Sequence, residues 1–456
     1  MNVHLQLYER AREACPPKCW GFDWCEDAIW GLHKARASVP FDKQVFLRFS
    51  RLGTDDFMSK SEVIAVATRE ANLKRRLRRH LKSLGFRKSS DGSLEANGDG
   101  KEMIRNLHSA QRAERLKASA TFLQQRAPKL LRNFASGTEI DPEKISPVLE
   151  RVSAGSMKGD LFRLASLTWS VPVSNGFGRR IRYLVWDQQN GKLIGVIAIG
   201  DPVFNLSVRD NLIGWDVRQR GERLVNIMDA YVLGAVPPYN MLLGGKLVAC
   251  LLRSREIYGD FADLYGGTTG IISKQRKRAR LLAVTTSSSL GRSSVYNRLK
   301  LGDTSYFESI GYTGGWGHFH IPDKLFAELR SYLRDAGHKY ADLHRFGQGP
   351  NWRLRTTRAA LDALGFRDDM LKHGIRREVF LCWLASNGAD ILRTGKGTPD
   401  IASLLDTSVV AELARERWLI PRAQRRPQFS AWKLDDLLNL FGAQTRMLQV
   451  ALKKAS

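Results

Sequence analysis

The chain has 456 residues, with 72 Lys and Arg against 46 Asp and Glu, a formal net charge of +26. At 43% hydrophobic and 26% charged, its composition is that of an ordinary globular protein. That excludes a disordered chain, a collagen-like chain and a small disulfide scaffold. The longest apolar runs, such as 193–199, fall far short of the roughly 20 residues a membrane span needs, and the N-terminus MNVHLQLYERAREA has no basic flank followed by an apolar block. A cytoplasmic protein with no membrane partner is therefore expected. A positive field of this size points to a polyanion, and nucleic acid is the usual one, DNA in the first place.

In chain order, 1–135 reads as a basic helical region. Cys15, Cys19, Cys25 and His33 are four potential zinc ligands, but no C-x2-C or H-x3-H pair is present, and Trp20, Trp24 and Trp30 suit an aromatic cluster instead. A helix is predicted from about Ser61 to Leu84, ending at Gly85, with Leu73, Leu77, Leu81 and Leu84 as its apolar stripe. Lys74, Arg75, Arg76, Arg78, Arg79, His80 and Lys82 cover the rest of it with no acidic partner expected at i,i+4. Such a run is a solvated face or a face that tracks phosphates, and its density favours phosphates. A polar break at 88–100 precedes further helix over 101–134, interrupted near Pro128.

Residues 136–330 read as an α/β core. The segment 161–173, ending in Leu-Thr-Trp-Ser-Val-Pro-Val, is β-rich. Arg182–Trp186 and Leu193–Ile199 flank Asn190-Gly191, a tight-turn signal, and form an antiparallel hairpin. Basic residues Arg179 and Arg180 stand at its start. The loop after the hairpin carries Asp201, Asp210 and Asp216, which would take a magnesium ion for phosphodiester chemistry, or form ion pairs with neighbouring arginines, the simpler assignment. Ile227–Val236 is a strand stopped by Pro237-Pro238. Gly244-Gly245-Lys246 leads into a helix over 247–255; it lacks the upstream Gly and following Ser or Thr of a nucleotide-binding P-loop. A second basic cluster, Lys274, Arg276, Lys277 and Arg278, precedes a strand over 281–286. The block Thr285–Arg298 links that strand to a helix over 293–299, with Ser293 or Ser294 as its cap, and its amides together with Arg292 and Arg298 suit a phosphate. Strands are expected at 306–312 and 314–321. The region 331–456 reads as basic helix and loop, with Arg376 and Arg377 in its densest run.

The fold class is therefore α+β. The order hairpin, strand, loop, helix, strand, helix, strand resembles the GNAT acyltransferases, giving a GNAT-like mixed sheet with flanking basic helical segments. In that family a loop and helix N-terminus bind the pyrophosphate of acetyl-CoA. The matching segment here is 236–247, which departs from the family pattern because Asn240 stands where a basic or amide residue begins it. The resemblance places Tyr296 as a general acid facing the donor sulfur; packing in the core is the alternative for this ring.

The run Arg209-Asp210-Asn-Leu-Ile-Gly214-Trp215-Asp216 resembles the R-D-x-x-I-G-W-D segment of the DruA family. The segments Gly195–Pro202, Met228–Gly234, Gly291–Arg298 and Lys372–Glu378 fit the same group, over roughly 70–425. That resemblance implies a component of the Druantia anti-phage system of bacteria, acting beside other subunits that include a large helicase-like protein. It carries over no catalytic residues. The expected function is that of a nucleic-acid-binding component of such a system, with metal-dependent cleavage of phage DNA and GNAT-like acyl-CoA-dependent transfer as the alternatives.

Overall fold

The computed structural model describes residues 60–455, apart from short stretches at 91–93, 97–99, 154, 175, 177, 270–275, 343–351 and 367. The zinc candidates Cys15, Cys19, Cys25 and His33, and also Lys274, lie outside the described residues. Among the described residues no helix is long and apolar enough to cross a membrane.

Helix α1 (Lys60–Ser83) forms where the leucine spacing predicts it. Leu73, Leu77 and Leu81 are buried, and Gly85 ends the turn at φ +81°. The stripe packs with Ile104 and Leu107 of α2 (Gly100–Ala118) and with Leu325, Phe326 and Leu329 of α8 (Asp323–Asp335), defined in order below. Helix α3 (Met157–Leu167) replaces the β-rich segment expected at 161–173. Ser156 caps it by accepting from the Gly159 amide, and Leu161, Phe162, Leu164 and Ala165 bury one side. The remaining helices that bear on the site are α4 (Ser207–Ile213), α5 (Val217–Arg223), α6 (Gly244–Leu251) and α7 (Arg255–Tyr265).

The centre is a seven-stranded mixed sheet: β1 (Pro147–Arg151), β2 (Arg180–Asp187), β3 (Lys192–Gly200), β4 (Ile227–Ala235), β5 (Ala283–Ser287), β6 (Glu308–Tyr312) and β7 (Glu378–Trp383). Their spatial order is β6-β7-β5-β4-β3-β2-β1. Neighbours are antiparallel except β4 and β5, which run parallel. The β2–β3 hairpin closes as Asn190-Gly191 predicts, with Asp187 opposite Lys192. One sheet face packs on α6 and α7 through Val248, Leu251 and Phe261; the other packs on α3 through Leu164 and Leu184.

Three expected elements differ. The strand expected at 314–321 is a turning segment, because Gly315 and Gly317 adopt φ +67° and +152°. The strand that completes the sheet is β7, inserted between β5 and β6 from beyond residue 331. The helix expected at 293–299 is a run of turns, and Arg298, at φ +56°, cannot continue a right-handed helix.

Candidate functional site: a cleft between two parting strands

β4 and β5 begin as a parallel pair and then separate. They are paired only at Ile227–Ala283, Met228–Val284 and Asp229–Thr285. Two features pull them apart. β5 stays paired with β7 along its whole length. β4 stays with β3 but carries one extra residue, Tyr231, between the partners of Ala198 and Ile199. Such a bulge bends its strand and sharpens its twist. Ala230–Ala235 on one side and Thr286–Ser289 on the other then wall a cavity of about 520 Å³. The edge of β4 turned toward β5 thus lies open to the cavity, crossed by a Thr286 hydroxyl donating to the Ala230 carbonyl at 2.9 Å.

The end of the cleft is built by the chain that follows β4. After Pro237-Pro238 a short 3-10 turn (Tyr239–Leu242) delivers Leu243 in the left-handed region at φ +64°. Leu243 is the N-cap of α6, and no side chain caps the helix. Gly244 is required here, since a Cβ would lie 2.6 Å from the Tyr239 carbonyl oxygen. At Gly245 a Cβ would meet nothing within 4 Å. Asn240, Gly245 and Lys246 line the cavity, so the amide-rich start of α6 faces it.

The opposite wall is the turn 290–296. Ser293 Oγ accepts from the Val295 and Tyr296 amides, at 3.1 and 3.2 Å, and the Ser293 amide donates to Glu378 Oε2 at 3.2 Å. The ring of Tyr296 is wedged between Phe307 and Phe380, with centroids at 5.1 and 5.4 Å. Both readings of this residue meet here: the ring is core, while the residue lines the cavity and its hydroxyl reaches the Leu233 carbonyl at 3.4 Å. Burial pushes the Tyr296 hydroxyl up to about 12, so it keeps its proton at neutral pH. Arg292, exposed, stands at the same wall.

At the base, Asp229 accepts from Thr285 Oγ1 at 2.8 Å. Burial raises its pKa to about 6, against the Thr285 hydrogen bond and the Arg209 charge, which lower it. The folded state therefore holds this proton more tightly than the unfolded chain, so ionisation costs stability as pH rises from about 4 through 6. Asp229→Asn is expected to raise the unfolding free energy at pH 8 by on the order of 3 kcal/mol, and to change it little at pH 4. Equal effects at both pH values would contradict this.

The three aspartates proposed as metal ligands are engaged elsewhere. Asp201 accepts from the Arg179 amide and side chain, at 3.0 and 2.8 Å, which also commits Arg179. Asp210 is buried between Arg209 and Arg220, with Arg220 Nη1 at 2.8 Å and Trp215 Nε1 donating at 3.0 Å. The fully buried Arg209 also donates to the Val203 and Phe204 carbonyls. Asp216 is the N-cap of α5, in a reciprocal box with Gln219. No group of three His, Cys, Asp or Glu that would hold a metal gathers among the described residues.

The basic candidates are dispersed. On α1, Lys74 pairs with Glu70 at i,i+4, correcting the expected lack of acidic partners; Arg76 pairs with Glu328 at 2.6 Å and Arg78 lies over Phe366. Arg75, Arg79 and Lys82 are exposed, with no acidic side chain in ion-pair reach among the described residues. Arg180 is exposed at the start of β2, and Arg278 and Arg298 are exposed. Arg276 and Lys277 form a two-residue strand against Thr268–Thr269. Arg376 lies over Tyr312, whereas Arg377 reaches His108 Nε2 at 3.3 Å and covers Phe319.

The family model described as Druantia protein DruA matches residues 98–394. A curated relative named Druantia protein DruA, from Escherichia coli (strain UMEA 4076-1), is 65% identical over 379 residues, covering 83% of this chain and 94% of that protein. The chain belongs to the DruA family. No solved structure matches it. The family span holds all seven strands and the cleft. The motif R-D-x-x-I-G-W-D turns out to be the buried ion cluster joining α4 to α5. Trp169 and Tyr231, which also line the cleft, are residues that sequence reasoning did not assign to a site.

Proposed function

We propose that this DruA-family chain is an anti-phage defence component whose cleft binds an acyl-CoA donor, as GNAT acyltransferases do. The observation that carries the reading is the separation of β4 from β5 after three paired residues, opening onto the uncapped start of α6. The physical fit is specific. The open edge of β4 offers backbone donors and acceptors to an extended, amide-bearing arm, in the manner of an added strand. The amides at Gly244-Gly245, with Lys246 and Arg292 on the walls, suit a pyrophosphate. The strand order, with the last strand inserted beside the fifth, and the bulge on the fourth support the GNAT-like reading. Tyr296 holds a proton that a departing thiolate would take. Calorimetry with acetyl-CoA on the full chain tests the reading: one-to-one binding is expected, and absence of both binding heat and a thermal shift would remove it.

Nucleic-acid binding is the second reading, favoured by the +26 charge and by Arg75, Arg79 and Lys82 on α1, which have no ion-pair partner among the described residues. Other subunits of the defence system, a helicase among them, would then act on the bound strand. Replacing these three by Gln is expected to weaken duplex DNA binding and to lower the slope of log K against log salt by up to about 3. Filter binding across a salt series measures it; an unchanged slope would mean that these side chains do not meet phosphate.

A further inference from the structure

The cleft lies between the strands and is walled by residues from both sheet faces, one set lining a mouth on the α6 side and the other lining a second mouth on the α3 side. Tyr296 packs with the layer that contains Leu233 and Phe380, on the α6 side. Trp169 and Tyr231 pack with the layer that contains Leu184 and Val232, on the α3 side, and line the same cavity. A donor seated at the start of α6 leaves this second mouth for another molecule.

The second mouth is a built site. Tyr231 is the extra residue of the β4 bulge. Its hydroxyl is buried and has no hydrogen-bond partner among the described residues. A hydroxyl left unpaired in a protein interior is costly, and such a group calls for an explanation. The ring is held in place by the chain at Gly176, where a Cβ would come within 2.5 Å of it. Trp169 packs against β4 at Gly234, where a Cβ would stand 3.1 Å from the indole. The loop that carries the indole is fastened at two points: Arg112 Nε donates to the Trp169 carbonyl at 2.9 Å, and Arg115 donates to the Val173 carbonyl. β2 adds Arg182, whose guanidinium lies over Phe162 of the same layer, and Arg180, two residues earlier on the same face of the strand.

We propose that the Trp169–Tyr231 mouth receives a nucleotide of a nucleic-acid strand and presents it to the cleft as the acyl acceptor. The inference rests on the acyl-donor reading above. Aromatic rings beside guanidinium groups are the means by which an unstacked base and its phosphate are held. In the transfer an amine or hydroxyl of the nucleotide attacks the thioester carbonyl. The new C–N or C–O bond forms as the C–S bond breaks, the nucleophile's proton passes to solvent, the sulfur leaves as a thiol with the Tyr296 proton, and Tyr296 takes a proton back from solvent.

Photocrosslinking of the full chain to bromouracil-substituted single-stranded DNA and RNA, mapped by mass spectrometry, tests this directly. The crosslinked peptide is expected to contain Trp169 or Tyr231 with at least one polymer. The paired change Arg180→Gln and Arg182→Gln is expected to lower that yield at least tenfold, with acetyl-CoA affinity measured on the same variant as its folding check. Crosslinks confined to other peptides, such as the one carrying Arg75 and Arg79, or a yield unaffected by the paired change, would overturn the inference. If acetyl-CoA binds and the crosslinks fall elsewhere, the acceptor assignment fails alone. If crosslinks fall on Trp169 or Tyr231 and acetyl-CoA does not bind, the donor reading fails and with it the transfer.

Discussion

Gly245→Asp is expected to weaken acetyl-CoA binding by roughly 100-fold or more without unfolding the protein. The new side chain has room, because a Cβ at Gly245 meets nothing within 4 Å. It also stands in the first turn of α6, where a carboxylate opposes the helix dipole favourably, so stability should rise slightly. The same carboxylate would face the donor's phosphates. Two like charges about 4 Å apart at an effective dielectric of 20 repel by about 4 kcal/mol, and each 1.4 kcal/mol is roughly tenfold in affinity. Gly245→Asn, of the same size but neutral, should lose far less. The two variants thus separate charge from bulk, and calorimetry reads both. Wild-type affinity in the Asp variant would mean that no anion sits at the start of α6.

Asp210→Ala is expected to destabilise the fold by about 3–5 kcal/mol, the usual result of leaving a buried charge without its partner. Arg209 is fully buried, and Asp210 is the carboxylate that neutralises it and Arg220 together. Asp216→Ala, which removes only a helix cap, should cost about 1 kcal/mol. Denaturant unfolding distinguishes the two. A metal-holding carboxylate behaves in the opposite way, since its removal abolishes cleavage while leaving stability unchanged or improved. An Asp210→Ala protein as stable as the wild type would therefore reopen the nuclease reading.

Local signals in the sequence were sufficient wherever a local rule decides the structure. The leucine spacing gives α1, Asn190-Gly191 gives the β2–β3 hairpin, and Pro237-Pro238 marks the end of β4. They failed where a distant partner decides. Met157–Leu167 is followed by a β-rich stretch that hides its helical period, and only the Ser156 cap reveals its start. The alternation Gly-His-Phe-His suggested a strand at 314–321, but Gly315 is pressed against Gly374, where a Cβ would come within 2.9 Å of its carbonyl carbon. β7 went unread because Glu378–Trp383 is a short apolar run behind a basic one.

The site divides along the same line. The GNAT resemblance paired the segment at Gly244–Lys246 with Tyr296, and Gly245, Lys246 and Tyr296 line one cavity. The bulge at Tyr231 was not legible, since it exists only in the register of β4 against β3. The aspartates left two assignments open because a loop rich in carboxylates beside a strand end looks the same whether it binds metal or neutralises buried arginines, and the ion pairs expected as the simpler one form at Asp210. Only the fold shows that Arg209 points inward and Arg179 reaches Asp201.

Hydrogen exchange of the full chain, with and without saturating acetyl-CoA, tests the central claim most directly, because it reports where the ligand lies. Slower exchange is expected in two peptides, one covering β4 from Ala230 to Ala235 and the other covering Gly244 to Leu247. Exchange in those peptides that is unchanged while acetyl-CoA is bound, or protection confined to other parts of the chain, would contradict the assignment of the cleft as the donor site.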